Sequence, residues 1–195
     1  HKNIFYFDLG NNFPQPSQQG DLKIPLIHSA LEKMNPEAVL VGPNEWQNGL
    51  HWLDTNIPYI LSNQSKKLNF LNLKSFHHKN RKLLVFGYLS PSLVYQNKNT
   101  PSVIFPVNQK LLSDWREEIQ KNKAQFLVLL FRGDADELEF FDKSGMFDLI
   151  VAGSNNDDEL NQNLGMEVGK RKHPMIPTKG QGVLTGKLDD NGNII

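Results

Sequence analysis

The side chains best suited to chemistry gather in four short segments, residues 8–12, 42–45, 131–136 and 152–158. Asp134, Asp136, Asp157 and Asp158 crowd two of them, and Asp8 opens a third. Several converging carboxylate oxygens are what a hard cation such as Ca or Mg requires, whereas carboxylates on separate solvated loops hold nothing. Arg132 offers a planar, permanent cation that suits a phosphate or carboxylate, or an ion pair with Asp134 or Asp136. With Gly133 and Asp134 it spells RGD, an adhesion signal only when displayed on an exposed loop. The six histidines, His1, His28, His51, His77, His78 and His173, all lie outside the four segments. His28 and His51 are expected on helices, as packing or surface residues. His77 and His78 with Lys79, Arg81 and Lys82, and separately Lys170, Arg171 and Lys172, read as short solvated basic stretches. The sequence holds no GxSxG elbow, no phosphate-binding loop and no GxGxxG.

Each of the four segments closes a run that reads as a buried strand: 3–9 (NIFYFDL), 38–41, 126–130 (FLVLL) and 147–151. A further strand is expected at 58–61. Helical spacing is carried by Leu26, Ile27, Ala30, Leu31 and Met34, by Trp46, Leu50 and Leu53 within 45–53, and by 136–141. Another helix runs to about residue 122, capped by Asn108 or Ser113. Residues 70–76 and 83–89 flank a basic turn at 77–82 and read as a hairpin, and the tail at 165–188 has β character. Alternating β and α elements with near-continuous apolar strands predict a mostly parallel sheet covered on both faces. The hairpin and tail add a second, mixed sheet. In open α/β sheets the ligand site lies beyond the carboxyl ends of the strands, where the four segments converge.

A chain of 195 residues suggests one domain and can bury a sizeable core without a staple. It has no cysteine, which excludes disulfides, thiolate metal sites and a Cys nucleophile. Lys plus Arg and Asp plus Glu both number 21, and a net charge of zero argues against a nucleic-acid polymer as partner. No apolar run approaches the roughly 18–20 residues of a membrane helix. The sequence begins at His1 rather than Met, so either a longer precursor or a processed or engineered end is expected.

In this order and at this spacing, the strand-end segments resemble those of the metallophosphatase domain of the 5′-nucleotidase family, a group of calcineurin-like metallophosphoesterases. Asp8-Leu9-Gly10-Asn11 is similar to the family's D-x-G-D, and residues 42–49 (GPNEWQNG) to G-N-H-E-F-D-x-G. Residues 58–63 resemble the strand ending in S-A-N, and 83–91 (LLVFGYLSP) the strand I-G-L-T-T-P. Leu129-Leu130-Phe131-Arg132 stands where the family has L-L-S-H, and 147–156 (FDLIVAGSNN) where it has I-D-L-I-I-G-G-H-S-H. Residues 175–188 resemble the closing hairpin, with Gly182 and Gly186 at the family's glycine spacing.

The resemblance implies a four-layer α/β/β/α sandwich with mixed sheets, its first strand, bearing D-x-H, lying before residue 1. It implies one partial domain over 1–195, without the family's C-terminal nucleotide-binding domain. It also implies two divalent ions about 3.5–4 Å apart that activate water and neutralise phosphate. Here the implied ligand positions hold Asn11, Pro43, Arg132, Ser154 and Asn156, and the position of the His assisting the leaving group holds Asn44. Asp8, Gly10, Gly42, Glu45 and Gly153 keep the family's residue types, mainly backbone-shaping ones. The expectation is therefore a catalytically degenerate domain kept as a binding or structural module. It would need no cofactor, and it would bind a protein partner or an anionic small molecule, the latter at Arg132. The alternative is a phosphoesterase or nucleotidase with a remodelled site, using Asp8, Asn11, Glu45, Asp134 and Asn156 with Mn, Zn or Mg. A third reading is an adhesion domain using the acidic loops or RGD. Export by a bacterium to the periplasm or cell surface follows from the resemblance alone.

Overall fold

A computed structural model describes residues 4–65, 68, 70–78, 81–95, 102–153 and 175–178. Among these residues, two sheets stack face to face. The first is parallel throughout, in the order β1 (Phe7–Asp8), β2 (Ala38–Leu40), β3 (Tyr59–Ile60). The second runs β4 (Lys74–His78), β5 (Arg81–Leu89), β6 (Phe126–Arg132), β7 (Leu149–Gly153), β8 (Met175–Thr178); β4 is antiparallel to β5 and the other pairs are parallel.

The central strands β2 and β6 are apolar on both faces because both faces are covered. In β6 all seven residues are buried. Phe126, Val128 and Leu130 meet Ala38, Leu40 and Ile60 of the first sheet, while Leu127, Leu129 and Phe131 face the helical layer. That layer is α4 (Gln109–Asn122) and α5 (Ala135–Ser144), which bury Leu111, Leu112, Trp115, Leu138 and Phe141. On the far side, α2 (Ile24–Met34) covers the first sheet through Leu31, packed with Val39, Val41 and Tyr59. The result is the four-layer α/β/β/α sandwich with a parallel and a mixed sheet.

The helices stop and start as their sequences dictate. Asn108 caps α4 by accepting from the Leu111 N–H at 2.9 Å, and Asp134 and Glu137 cap α5 reciprocally. Asn35, Lys123 and Gly145 end their helices in the left-handed conformation.

Several boundaries move. The first strand is Phe7–Asp8, shorter than the apolar run around it. The helix expected over 45–53 breaks at Gly49, whose φ of +103° no other residue adopts easily. It becomes α3 (Pro43–Asn48) and a single 3₁₀ turn, Leu50–Trp52. On α2 the inward residues are Ile24, Ile27 and Leu31; Leu26 is 73% exposed and Met34 52%. The hairpin pairs His77 with Lys82 and His78 with Arg81, so its strands run through what the basic composition marked as a turn. Phe126–Arg132 and Leu149–Gly153 belong to the mixed sheet rather than to the first one. Of the β tail, Met175–Thr178 pairs in parallel with β7, and the rest lies outside the described residues.

The sheets are also hydrogen-bonded to one another where the chain leaves β3. Ser62 exchanges hydrogen bonds with the Gly87 backbone, at 2.6 and 2.8 Å. The fully buried Asn63 donates to the Leu89 and Phe105 carbonyls, both at 2.8 Å. A Cβ on Gly87 would stand 3.0 Å from Ile60 and Leu40, so glycine permits the close approach.

Candidate functional site

The carboxyl ends of β1, β2, β6 and β7 meet at one edge, as the segment spacing predicts. After β1 the chain turns sharply at Gly10 and Asn11, with φ of +68° and +66°. Asp8 sets the turn: its Oδ1 accepts from the Gly10 N–H at 2.7 Å and from Asn12 Nδ2 at 2.8 Å. The loop lies directly on β2. A Cβ at Gly10 would fall 2.0 Å from the Leu40 carbonyl oxygen, and one at Gly42 would fall 2.2 Å from the Asn11 nitrogen.

Glu45 organises this loop from below. Its side chain has no solvent exposure. Oε2 accepts from the N–H groups of Asn11 (2.8 Å) and Gly42 (3.1 Å), and Oε1 from those of Asn12 (2.6 Å) and Phe13 (3.2 Å). Burial pushes its carboxyl pKa up, and the backbone N–H groups of Glu45, Asn12, Asn11 and Phe13 oppose that shift. Asn11 Oδ1 in turn accepts from the Asn44 N–H at 3.1 Å, and Asn44 Nδ2 donates to the Phe13 carbonyl at 2.8 Å. Pro43, buried, occupies the first turn of α3, where a missing N–H is harmless.

Arg132 holds the other side of the loop. It is 6% exposed, donating from Nε to the Leu9 carbonyl (2.7 Å) and from Nη2 to the Gly10 carbonyl (3.3 Å). Opposite it on β7 stands Gly153, where a Cβ would lie 3.1–3.2 Å from the guanidinium. Burial lowers the arginine's proton affinity, and the charges of Glu45 and Asp8 restore part of it.

The structure places the residues singled out from the sequence as follows. Among the described residues, the buried Arg132 guanidinium donates to carbonyls of the β1 loop. The RGD tripeptide does not display its guanidinium. Asp134 is exposed and accepts from the Glu137 N–H at 2.9 Å as the cap of α5, with Asp136 exposed in the first turn. Among the described residues no three His, Asp or Glu side chains could hold a metal ion together. Ser154, Asn156, Asp157 and Asp158 lie outside the described residues. No described histidine sits at this edge: the ring of His28 packs on Phe13 at 5.3 Å and that of His51 on Trp52 at 5.4 Å.

The sequence reading missed a second polar cluster nearby. Tyr88 donates to Glu137 Oε1 and accepts from the Val107 N–H at 3.1 Å. Ser90 also hydrogen-bonds Glu137. Burial raises the pKa values of both Glu137 and Tyr88. Nothing in the local spacing of residues 88, 107 and 137 signals this meeting. It requires β5, the segment before α4, and α5 to be packed together.

No family model matches the chain, and no curated protein matches it. Solved structures do. The Thermus thermophilus sulfate thiohydrolase SoxB superposes with a TM-score of 0.73 at 16% identity, covering 97% of this chain and 37% of that one. A putative 5′-nucleotidase from Staphylococcus aureus gives 0.65 at 15%, covering 100% and 44%. The calcineurin-like phosphoesterase YfkN from Bacillus subtilis gives 0.64 at 16%, covering 99% and 74%. The fold is that of the metallophosphoesterases. This metallophosphoesterase fold spans less than half the length of the SoxB and S. aureus chains. No helix among its described residues is long and apolar enough to cross a membrane.

The described donors at its strand-end edge do not fit two divalent ions. Pro43 has no side-chain oxygen, Asn11 Oδ1 and Asp8 Oδ1 accept from N–H groups, Asp8 Oδ2 accepts from the Tyr6 hydroxyl at 3.3 Å, and Arg132 is itself a cation. A guanidinium within a few Å of a dication is repelled by on the order of several kcal/mol at an effective dielectric of ~20.

Proposed function

We propose that this chain is a catalytically degenerate metallophosphoesterase-fold domain, kept as a binding or structural module in an exported bacterial protein. One observation carries the reading. The described side chains at the implied metal and catalytic positions that could bind a ligand are committed to bonds within the protein: Asn11 to α3, Asn44 to the Phe13 carbonyl, and Arg132 to the Leu9 and Gly10 carbonyls. Neutral amide oxygens would in any case bind Mn or Zn far more weakly than imidazole and carboxylate do. What remains is a rigid four-layer scaffold whose partner would be a protein or an anionic small molecule. Export is supported by the nature of the similar solved proteins, which include a 5′-nucleotidase precursor from Thermus thermophilus.

The test is metal content with turnover. The purified chain is equilibrated with excess Mn and Zn, stripped of free ions and counted by mass spectrometry, then assayed on p-nitrophenyl phosphate and nucleotides. No bound ions and no turnover are expected. About two ions per chain, with phosphatase activity lost in Asn44→Ala, would establish instead a phosphoesterase with a remodelled site.

A further inference from the structure

We propose that the buried guanidinium of Arg132 is a built-in cation, held in a carbonyl-lined site that binds guanidinium-class ions and that the side chain occupies permanently. Among the described residues, the oxygens of this site are the Leu9 and Gly10 carbonyls, at 2.7 and 3.3 Å from two different nitrogens of one planar group. Its wall is Gly153, whose missing Cβ leaves the space that the guanidinium fills at 3.1–3.2 Å. The negative charges of Asp8 and Glu45 act on it. Such a site selects shape as well as charge: two carbonyls pointing at one plane suit a forked donor and not a compact ammonium.

The site also has a task. Leu9 and Gly10 present their carbonyls to Arg132, while the next three residues present their N–H groups to Glu45. Arg132 leaves β6 of one sheet and grips the loop after β1 of the other, so the cation fixes the edge of one sheet to the other. This rests on the reading above, in which no dication occupies the edge.

The test uses Arg132→Ala with methylguanidinium chloride. The variant should unfold about 10 °C below the parent, the loss expected for removing one member of a buried charged set. Methylguanidinium should restore much of that loss in a saturable way, whereas methylammonium or NaCl at equal ionic strength should not. The parent protein should not respond. Absence of recovery, or equal recovery with every salt, overturns the proposal. If Arg132→Ala does not fold, Arg132→Lys decides. It keeps the charge but cannot span two carbonyls, so it should lower Tm and speed hydrogen exchange at the Asn11, Asn12 and Phe13 amides. An unchanged Arg132→Lys overturns the proposal. Metal uptake by the parent chain would sink the functional reading; failed rescue of the variant would sink this one alone.

Discussion

Glu45 and Arg132 hold one loop by its two kinds of backbone group: the carboxylate takes the N–H groups of Asn11, Asn12 and Phe13, and the guanidinium gives to the carbonyls of Leu9 and Gly10. Five consecutive residues are thus bonded to one of two buried ionisable side chains. Each charge is stabilised by backbone dipoles as well as by the other, which is how two ionised groups are tolerated where solvent is excluded. The loop carries two successive positive φ values, at Gly10 and Asn11, residue types that adopt the left-handed region readily.

Glu45→Ala should therefore destabilise the domain more than an average core truncation. It leaves four buried N–H groups without an acceptor and removes a counter-charge of Arg132. A loss of about 3–5 kcal/mol is expected, read as a lower midpoint in urea unfolding. A midpoint unchanged from the parent would show that the loop is held by other contacts.

Gly10→Ala and Gly42→Ala probe the contact of the β1 loop with β2. Both introduce a Cβ against backbone atoms that cannot swing aside, at 2.0 Å and 2.2 Å, and the first also at φ +68°. Each should cost about 3 kcal/mol or more, or prevent folding. Gly145→Ala, at a helix end with φ +59°, should cost about 1 kcal/mol. Denaturant melts of the three variants give the ranking.

Asn63→Ala should loosen the seam between the sheets. Its side chain bridges the carbonyls of Leu89 and Phe105 with no exposure to water. Loss of both bonds predicts about 2–3 kcal/mol, with faster hydrogen exchange at the Leu89 amide, which donates to Asn63 Oδ1 at 3.3 Å.

His28 predicts a pH dependence. Its Nε2 is buried without a partner, and burial lowers its pKa from 6.5 against the opposing charges of Asp54 and Glu32. The unfolded chain therefore takes the proton first. The stability tied to neutral His28 is present above pH 6.5 and is lost as pH falls below it. Thermal melts from pH 8 to 5 should show a decline that is shallower in His28→Gln. Equal slopes in the two proteins would show that His28 does not set it.

How far the sequence reaches depends on whether a feature is local. Strands, caps and the order of elements are local. FLVLL reads as a doubly covered strand from its composition, and Asn108 reads as a cap from its position. Which sheet a strand joins is not local. Residues 126–132 and 149–153 look alike whether they extend the first sheet or the second, and only their pairing with β5 decides it. On α2 the apolar residues occupy more than one face, so spacing alone left Leu26 and Met34 eligible for the core.

The site divides in the same way. From sequence alone, the four segments, their meeting at one strand edge and the residue types in them are fixed, because strand–loop–helix alternation brings carboxyl ends together. The sequence also shows which oxygens and imidazoles are absent, since Pro43 and Arg132 are what they are wherever they point. The direction of Arg132 belongs to the tertiary structure. By sequence it could meet an anion, Asp134 or a surface; packing of one sheet on the other puts the Leu9 and Gly10 carbonyls within reach, 123 and 122 residues away along the chain. Bonds of that sequence separation exist only once both sheets are in place, and they turn a residue suited to binding a ligand into one that binds its own backbone.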